Sequence, residues 1–191
     1  MTELLHVSGG PTKPEIIAIS LSKLDLKNGD SFFDIGCGTG AVSIEASKMV
    51  RDLRIHAIDA REEAIEVART NFSTFNVENV TLYSGESSDI LSKQPVGSIG
   101  CAFIGGTKNI SRVLEVLAEK KARSIVVNAV RIETVVNVIN KLKELGLFDE
   151  VLHIIVSRGA PLTGETMFKP ENPVYIIVGR SGKKQYCSDY R

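Results

Sequence analysis

One glycine-rich run has the residue types and spacing of a ligand-binding loop. It reads Asp34-Ile35-Gly36-Cys37-Gly38-Thr39-Gly40 and lies between a short apolar run and an amphipathic stretch. Glycines at alternate positions let the backbone turn tightly and approach a ligand closely, because a Cβ would clash there. The loop amides would then lie at a helix N-terminus, which favours electron-rich groups. Asp59 ends the next apolar run, where an acid typically accepts hydrogen bonds from ribose hydroxyls.

The spacing of this run distinguishes between nucleoside cofactors. A dinucleotide loop reads Gly-x-Gly-x-x-Gly, whereas this one reads Gly-x-Gly-x-Gly with an acid two residues earlier. That acid, Asp34, could bind a cationic amino group. S-adenosylmethionine (SAM) offers an amino group and a ribose but no pyrophosphate, so we predict SAM as the cofactor. The alternative interpretation is a tight structural turn beside a solvated aspartate.

The elements that must position this loop follow from an alternation of β-branched runs and amphipathic stretches, which indicates a parallel α/β sheet. Seven strands are predicted, at 31–35, 54–58, 80–83, 99–104, 124–128, 151–157 and 174–178. Helices are predicted up to about residue 24, with Thr12 as the cap, and at 41–50, 61–72, 110–119 and 132–145. The long segment between the last two strands is expected to be a functional or mobile loop.

Length and composition narrow the class of protein. With 191 residues, we predict a single domain over 1–191, with an N-terminal loop and helix (1–25) and a polar tail from about 180. The 23 basic and 23 acidic residues cancel, which argues against a general nucleic-acid binder. No apolar run is long enough for a membrane span, and the N-terminus does not resemble a secretory signal, so we expect a cytoplasmic location. Cys37, Cys101 and Cys187 suit reduced thiols, and no His or Cys spacing predicts a metal site.

The glycine-rich run in its setting resembles the class I methyltransferase fold. This resemblance implies a Rossmann-like, mostly parallel sheet of order 3-2-1-4-5-7-6, with the last strand antiparallel and helices on both faces. The turn after the third strand, Gly85-Glu86-Ser87, is similar to the Gly-Asp-Ala of that fold, whose residues border the adenine. The resemblance therefore implies adenine contacts for Glu86 and Ser87, while a solvated helix cap is the alternative for Glu86.

The end of the fourth strand bears on the methyl acceptor. It reads Ile104-Gly105-Gly106-Thr107 instead of the Asn/Asp-Pro-Pro-aromatic motif of enzymes that methylate amino groups of nucleic acids. No cysteine lies there in a Pro-Cys setting, so a covalent pyrimidine mechanism lacks its nucleophile. Two glycines suggest a wide opening for a bulky substrate, although a tight turn explains them equally well.

Four further segments occur together in one order. They are Gly9-Gly10-Pro11-Thr12-Lys13-Pro14-Glu15, Ile104-Gly105-Gly106, Asn128-Ala129-Val130 with Glu133, and Ser157-Arg158-Gly159. This set resembles the decarboxylating cobalt-precorrin C-15 methyltransferases (the CbiT type) over about residues 8–179. The resemblance implies methylation of C-15 of a cobalt-precorrin, with loss of the ring C acetate carboxyl as carbon dioxide, in anaerobic cobalamin (vitamin B12) biosynthesis. It also implies SAM contacts for Thr12, Gly36 to Gly40, Asp59 and Ser87, a homotetramer, and a separate C-5 methyltransferase.

A precorrin carries many acetate and propionate carboxylates, so its binding cleft is expected to present cations. Candidates at the carboxyl edge of the predicted sheet are Lys13, Lys108, Arg131, Arg158 and Lys169, with Arg158 first and a solvated surface charge as the alternative for each. Gly105 and Gly106 are expected to lie against the macrocycle. Thr107-Lys108-Asn109 follows them where relatives can carry a run of glycines.

No general acid or base can be assigned from the sequence. His153 is a candidate by residue type alone, and Glu133, Glu165 and Tyr175 cannot be ranked.

Two other functions stay open at this point. One is a SAM-dependent tRNA or small-molecule methyltransferase on the same fold, and the other is a non-catalytic SAM- or dinucleotide-binding protein.

Overall fold

The computed structural model describes residues 4–7, 10–106 and 108–182. Within them the strands are β1 (Ser31–Ile35), β2 (Arg54–Asp59), β3 (Val80–Ser84), β4 (Cys101–Ile104), β5 (Ser124–Ala129), β6 (Phe148–Ile154), β7 (Ser157–Leu162), β8 (Glu165–Pro170) and β9 (Val174–Arg180). The helices are α1 (Pro14–Leu24), α2 (Ala41–Met49), α3 (Glu62–Thr74), α4 (Ser87–Ser92), α5 (Ile110–Glu119) and α6 (Ile132–Glu144). None of these helices is long and apolar enough to cross a membrane.

Seven of the strands form one sheet in the order β3-β2-β1-β4-β5-β9-β6. Strands β1 to β5 pair in parallel, and β9 runs antiparallel to both β5 and β6. Because β9 is the seventh strand of this sheet in chain order, the predicted order 3-2-1-4-5-7-6 is confirmed. The strand order reverses between β1 and β4, and ligands of such sheets bind outside the carboxyl ends of the strands at this point.

Helices cover both faces of the sheet, as predicted. Phe32 and Phe103 pack on one face with apolar residues of α1, α2 and α3. Phe33 and Ile104 pack on the other face with those of α5 and α6. All five residues of β1 are buried, which is why this strand is an apolar run rather than an alternating one. Asp34 is therefore a buried carboxylate near the carboxyl end of β1.

The long segment between β6 and β9 is predicted as a functional or mobile loop, but the structure shows that β7 and β8 form a hairpin within it. Its turn contains Thr163 and Gly164, both with positive φ. The two strands are mostly exposed on both faces, so they lack the alternating apolar pattern that predicts a strand. Leu162 and Phe168 are among the exposed apolar side chains of the chain.

Smaller differences concern the element ends. Thr12 does not cap α1, because the helix begins at Pro14 with Lys13 in the capping position and no side-chain cap. The sequence pattern missed α4, since a six-residue helix is too short to show a period. It also placed both ends of β6 three residues late, and Ser157 belongs to β7 instead. The polar tail beyond residue 182, Cys187 included, lies outside the described residues.

Candidate functional site

The glycine loop between β1 and α2 is held against a second loop, the one that follows β4. Gly36 has a φ of +74°, and a Cβ built on it would lie 2.5 Å from the Gly106 nitrogen. The Gly105 amide donates to the Ile35 carbonyl at 2.9 Å, and the Gly36 amide donates to the Ile58 carbonyl at 2.8 Å. The backbones of the β1 and β4 loops therefore touch, and only glycine allows this approach at position 36.

A cavity of about 210 Å³ opens on this loop at the carboxyl edge of the sheet. It brings together six of the predicted cofactor residues, namely Thr12, Asp34, Gly36, Cys37, Gly38 and Thr39. Val7, Gly10, Pro11, Arg61, Phe103 and Gly105 complete most of its wall. Gly40, the residue before α2, is not part of this lining and lies against the ring of Phe72. Burial raises the pKa of the Cys37 thiol far above its ordinary value, so this side chain remains a neutral thiol.

Asp34 is the carboxylate that best tests whether SAM fits this cavity. The side chain is fully buried, and its Oδ2 accepts a hydrogen bond from the Ser43 hydroxyl at 2.6 Å. Its Oδ1 is also buried but has no hydrogen-bond partner within the described residues. Burial raises the pKa of this carboxyl to about 6. An unpartnered acceptor beside the cavity is what a cationic amino group of a ligand would satisfy.

Asp59 lies beside the glycine loop with both of its oxygens engaged. Its Oδ1 accepts from the backbone amide and Nε of Arg61, at 3.0 and 3.1 Å. Its Oδ2 accepts from Arg61 Nη2 at 3.1 Å and from the Gly38 amide at 3.0 Å. Burial raises the pKa of Asp59, but the hydrogen bonds from Arg61 and Gly38 outweigh burial and hold this pKa below its ordinary value. The carboxylate is thus ionised, and a ribose diol that binds it must replace hydrogen bonds from Arg61.

Glu86 lies outside the lining of this cavity, and its carboxylate accepts hydrogen bonds from α4 and from Asn109. Its Oε2 accepts from the amides of Ser88 and Asp89, at 2.6 and 3.2 Å, and so caps α4. Its Oε1 accepts from the Asn109 amide group at 3.2 Å. Burial raises the pKa of Glu86, but the hydrogen bonds from Ser88 and Asn109 outweigh it and lower this pKa. Helix capping, the alternative interpretation, is what the geometry shows, and adenine contacts of Glu86 and Ser87 stay predictions.

A second cavity, of about 340 Å³, adjoins the first. Both are lined by Gly10, Pro11, Thr12 and Gly105, so the two cavities share a wall. Of the predicted substrate residues, this second cavity brings together Lys13, Gly105 and Arg131. The remainder of its lining is Ile16 of α1, Asn128 and Ala129 at the end of β5, Val130, Thr134 of α6, and Val174 at the start of β9. Gly106 lies against Gly36 as described, and Lys108 is exposed outside both cavities.

The structure places Arg158 outside both cavities. Its Nη1 and Nη2 donate to the two carboxylate oxygens of Glu15, each at 3.0 Å, and its Nε donates to Glu171 at 2.6 Å. The Lys13 ammonium lies 2.6 Å from the other oxygen of Glu171. These four residues form a charge network that joins the base of the β7–β8 hairpin to the start of α1. Arg158 is therefore already paired with two carboxylates of its own chain.

Three residues at the site were not found by sequence reasoning. Ser43 and Arg61 bind the two carboxylates, and Asn71 of α3 donates to the carbonyl of Thr39 in the glycine loop. Serine, arginine and asparagine are common residues of helix surfaces, so their types did not mark them. Only their positions in the two helices that follow β1 and β2, or directly before the second of these helices, could have indicated that they lie near the glycine loop. The histidine candidate, His153, is exposed and stacks on Tyr175 with ring centroids 4.4 Å apart, outside both cavities. No group of three potential metal ligands occurs within the described residues.

The strand order, the glycine loop and the two carboxylates define a Rossmann-like methyltransferase fold of the SAM-dependent class, and SAM is the methyl donor. A family model described as the precorrin methyltransferase domain matches residues 3–180. The chain belongs to this family.

Comparison with individual proteins and solved structures supports this family assignment. A Methanosarcina mazei protein named "Probable cobalt-precorrin-6B C(15)-methyltransferase (decarboxylating)" is 64% identical over 181 residues, which cover 94% of this chain and 98% of that protein. The solved structure of precorrin-6y C5,15-methyltransferase from Geobacter metallireducens is 31% identical, with a TM-score of 0.85, and the match covers 93% of this chain and 94% of that one. Precorrin 8W decarboxylase of Methanobacterium thermoautotrophicum is 32% identical, with a TM-score of 0.81 and coverage of 89% and 91%.

Proposed function

We propose that this chain transfers a methyl group from SAM to C-15 of a cobalt-precorrin and releases the ring C acetate carboxyl as carbon dioxide. The observation that carries this proposal is the pair of adjoining cavities with a shared wall. One is lined by the glycine loop and by Asp34, whose buried Oδ1 has no hydrogen-bond partner within the described residues. The ionised Asp59 lies behind this lining and accepts from the Gly38 amide, and the second cavity opens beside the first with two cations, Lys13 and Arg131. A donor and an acceptor bound in these cavities would meet at the wall formed by residues 10–12 and Gly105.

The residues of the chain would act mainly by positioning. Bound SAM supplies an electrophilic methyl group, and its transfer to a ring carbon requires alignment and a shielded site. We propose that Asp34 accepts from the amino group of the donor, that Asp59 accepts from its ribose, and that the glycine loop approaches it closely. Loss of carbon dioxide leaves an electron pair that a conjugated macrocycle can absorb, so this chain's task in that step is to hold the acetate side chain.

For the macrocycle, the lining of the second cavity favours Lys13 and Arg131 over Arg158 as the cations that face its carboxylates. Arg131 is exposed, and no ion pair of its side chain is found in the described part of the chain. Gly105 would form the floor where the two cavities meet. Gly106 would act by keeping the β4 loop against Gly36, and Lys108 would face carboxylates only at the periphery of the macrocycle.

The test is mass spectrometry of a cobalt-precorrin incubated with this protein and SAM. We expect a product with one methyl group added and one carbon dioxide lost, and no product with the Asp59→Asn variant, which lacks the ribose-binding charge. Methylation without loss of carbon dioxide would assign decarboxylation to another protein. An unchanged precorrin, despite measurable SAM binding, would contradict the proposal and favour another methyl acceptor.

We also propose a homotetramer that acts with a separate C-5 methyltransferase in the cytoplasm. The exposed apolar side chains of the hairpin, above all Phe168 with 71% of its surface accessible, support self-association. Light scattering should give the mass of four chains, and Phe168→Asp should lower it, while Thr166→Asp on the same strand serves as the polar control. A monomer at working concentration would contradict this expectation.

A further inference from the structure

Asn71 joins two segments that border the cofactor cavity, although it does not line the cavity itself. Its side chain is 1% exposed. Its Nδ2 donates to the carbonyl of Thr39 in the glycine loop at 2.8 Å and to the carbonyl of Leu5 at 3.0 Å. Its Oδ1 accepts from the amide of Leu5 at 2.9 Å. One amide group thus ties the glycine loop to residues 4–7, hereafter the N-terminal segment.

The N-terminal segment contributes directly to the wall of the cavity. Leu4 packs against the core, Val7 lines the cavity, and the Gly10 amide donates to the Val7 carbonyl at 3.0 Å. Leu5 itself is 49% exposed and is held by its backbone rather than by its side chain. The two hydrogen bonds between Asn71 and the Leu5 backbone therefore fix the segment that carries Val7 opposite the glycine loop.

We propose that Asn71 is a positioning residue for cofactor binding, which acts by clamping the N-terminal segment to the glycine loop. The inference rests on the placement of SAM in this cavity proposed above. A wall that is fixed before the ligand arrives does not have to be ordered on binding, so preorganisation strengthens affinity. Release of the clamp should weaken cofactor binding and leave the core of the domain intact.

The first test removes the Leu5 donor and leaves Asn71 untouched. Leu5→Pro deletes the backbone N–H, whereas Leu5→Ala keeps it and serves as the matched control. The dissociation constant of S-adenosylhomocysteine is measured by calorimetry, together with the thermal unfolding midpoint. We expect Leu5→Pro to raise the dissociation constant about three- to tenfold relative to Leu5→Ala, the effect of one hydrogen bond, with a midpoint lowered by no more than about 2–4 °C.

The second test is a double-mutant cycle with Asn71→Ala, which removes all three hydrogen bonds. If Leu5 acts through Asn71, then Leu5→Pro and Leu5→Ala should have equal affinity once Asn71→Ala is present. Turnover adds a separate readout, because the clamp predicts a higher KM for SAM in Leu5→Pro with unchanged kcat at saturating SAM. A merely structural role would instead lower the midpoint and the active fraction and leave the KM for SAM unchanged.

The outcomes separate this inference from the site on which it rests. Asp59→Asn is the reference, since it removes a group proposed to bind the cofactor. If Asp59→Asn leaves the affinity for S-adenosylhomocysteine unchanged, then the cofactor placement fails. If it weakens binding while Leu5→Pro matches Leu5→Ala, or if the cycle is additive, then the clamp is overturned and the placement remains.

Discussion

The Gly36→Ala variant is expected to lose cofactor affinity by about a hundredfold or more, close to 3 kcal/mol, and to unfold more easily. Its Cβ would lie 2.5 Å from the Gly106 nitrogen and 2.8 Å from the Gly106 Cα. Both neighbours are backbone atoms, so one of the two loops must move. The positive φ costs the folded state about 1–2 kcal/mol of stability, and the collision costs it roughly 1–3 kcal/mol more. Cofactor affinity falls because the displaced loop no longer approaches the ligand in the same way. Calorimetry with S-adenosylhomocysteine and denaturant unfolding measure the two losses.

Gly97→Ala provides the control for this prediction. Gly97 has a φ of +81°, close to that of Gly36, but a Cβ there would meet nothing within 4 Å. The control therefore carries the conformational cost without the collision, and it lies outside both cavities. We expect it to bind S-adenosylhomocysteine normally and to lose only about 1–2 kcal/mol of stability. Equal losses of affinity in the two variants would contradict the proposed contact between the loops.

Asp34→Asn is expected to stabilise the fold at neutral pH while it weakens SAM binding. Burial raises the pKa of Asp34 from an ordinary 3.8 to about 6, so the folded state binds the proton more tightly than the unfolded state. The contribution of this group to stability is therefore fully present below the unfolded pKa and is lost as the pH rises through about 6. An asparagine has no charge to bury, so the variant should gain roughly 2–3 kcal/mol over the wild type at pH 7.

The measurement is the unfolding free energy of both proteins between pH 4 and pH 8. The difference should be near its minimum at pH 4, grow in favour of Asp34→Asn up to about pH 6, and then level off. Affinity for SAM should fall in the variant at pH 7, because an amide replaces the charged partner of the amino group. Ser43→Ala is the comparison, since it removes the hydrogen bond to Asp34 and leaves the charge. A difference in stability that does not change with pH would refute the buried, titrating carboxylate.

Local patterns predicted the part of the site that is local in sequence. The turn formed by Asp34 to Gly40 could be predicted, because the glycine spacing, the preceding strand and the following helix all lie within a few residues. Glu86 shows the limit of this reasoning, since its neighbours Ser88 and Asp89 offer amides that compete for the carboxylate. A residue type that suits an adenine pocket suits a helix cap equally well.

Contacts that depend on distant parts of the chain could not be predicted in this way. The sequence favours Arg158 as the first candidate for a substrate cation, yet the fold brings it against Glu15, far away in sequence. The Asn71 contacts with Leu5 and Thr39 likewise arise from packing of α3 against two separate segments. The hairpin of β7 and β8 could not be predicted for another reason. Both strands are exposed on both faces, so their sequences lack the alternation of apolar and polar residues that indicates a strand.

The position of that hairpin has a consequence for how the chain can vary. Ile154 at the end of β6 and Val174 at the start of β9 are direct partners in the sheet. The 7-stranded sheet would therefore close with a short turn in place of everything between them. The segment between them leaves and re-enters the fold at a point where the main sheet is already complete. Changes in the tip of the hairpin would therefore leave the register of β6 and β9 intact, whereas changes at Arg158 or Glu171 at its base would disturb the ion pairs with Glu15 and Lys13 beside the second cavity.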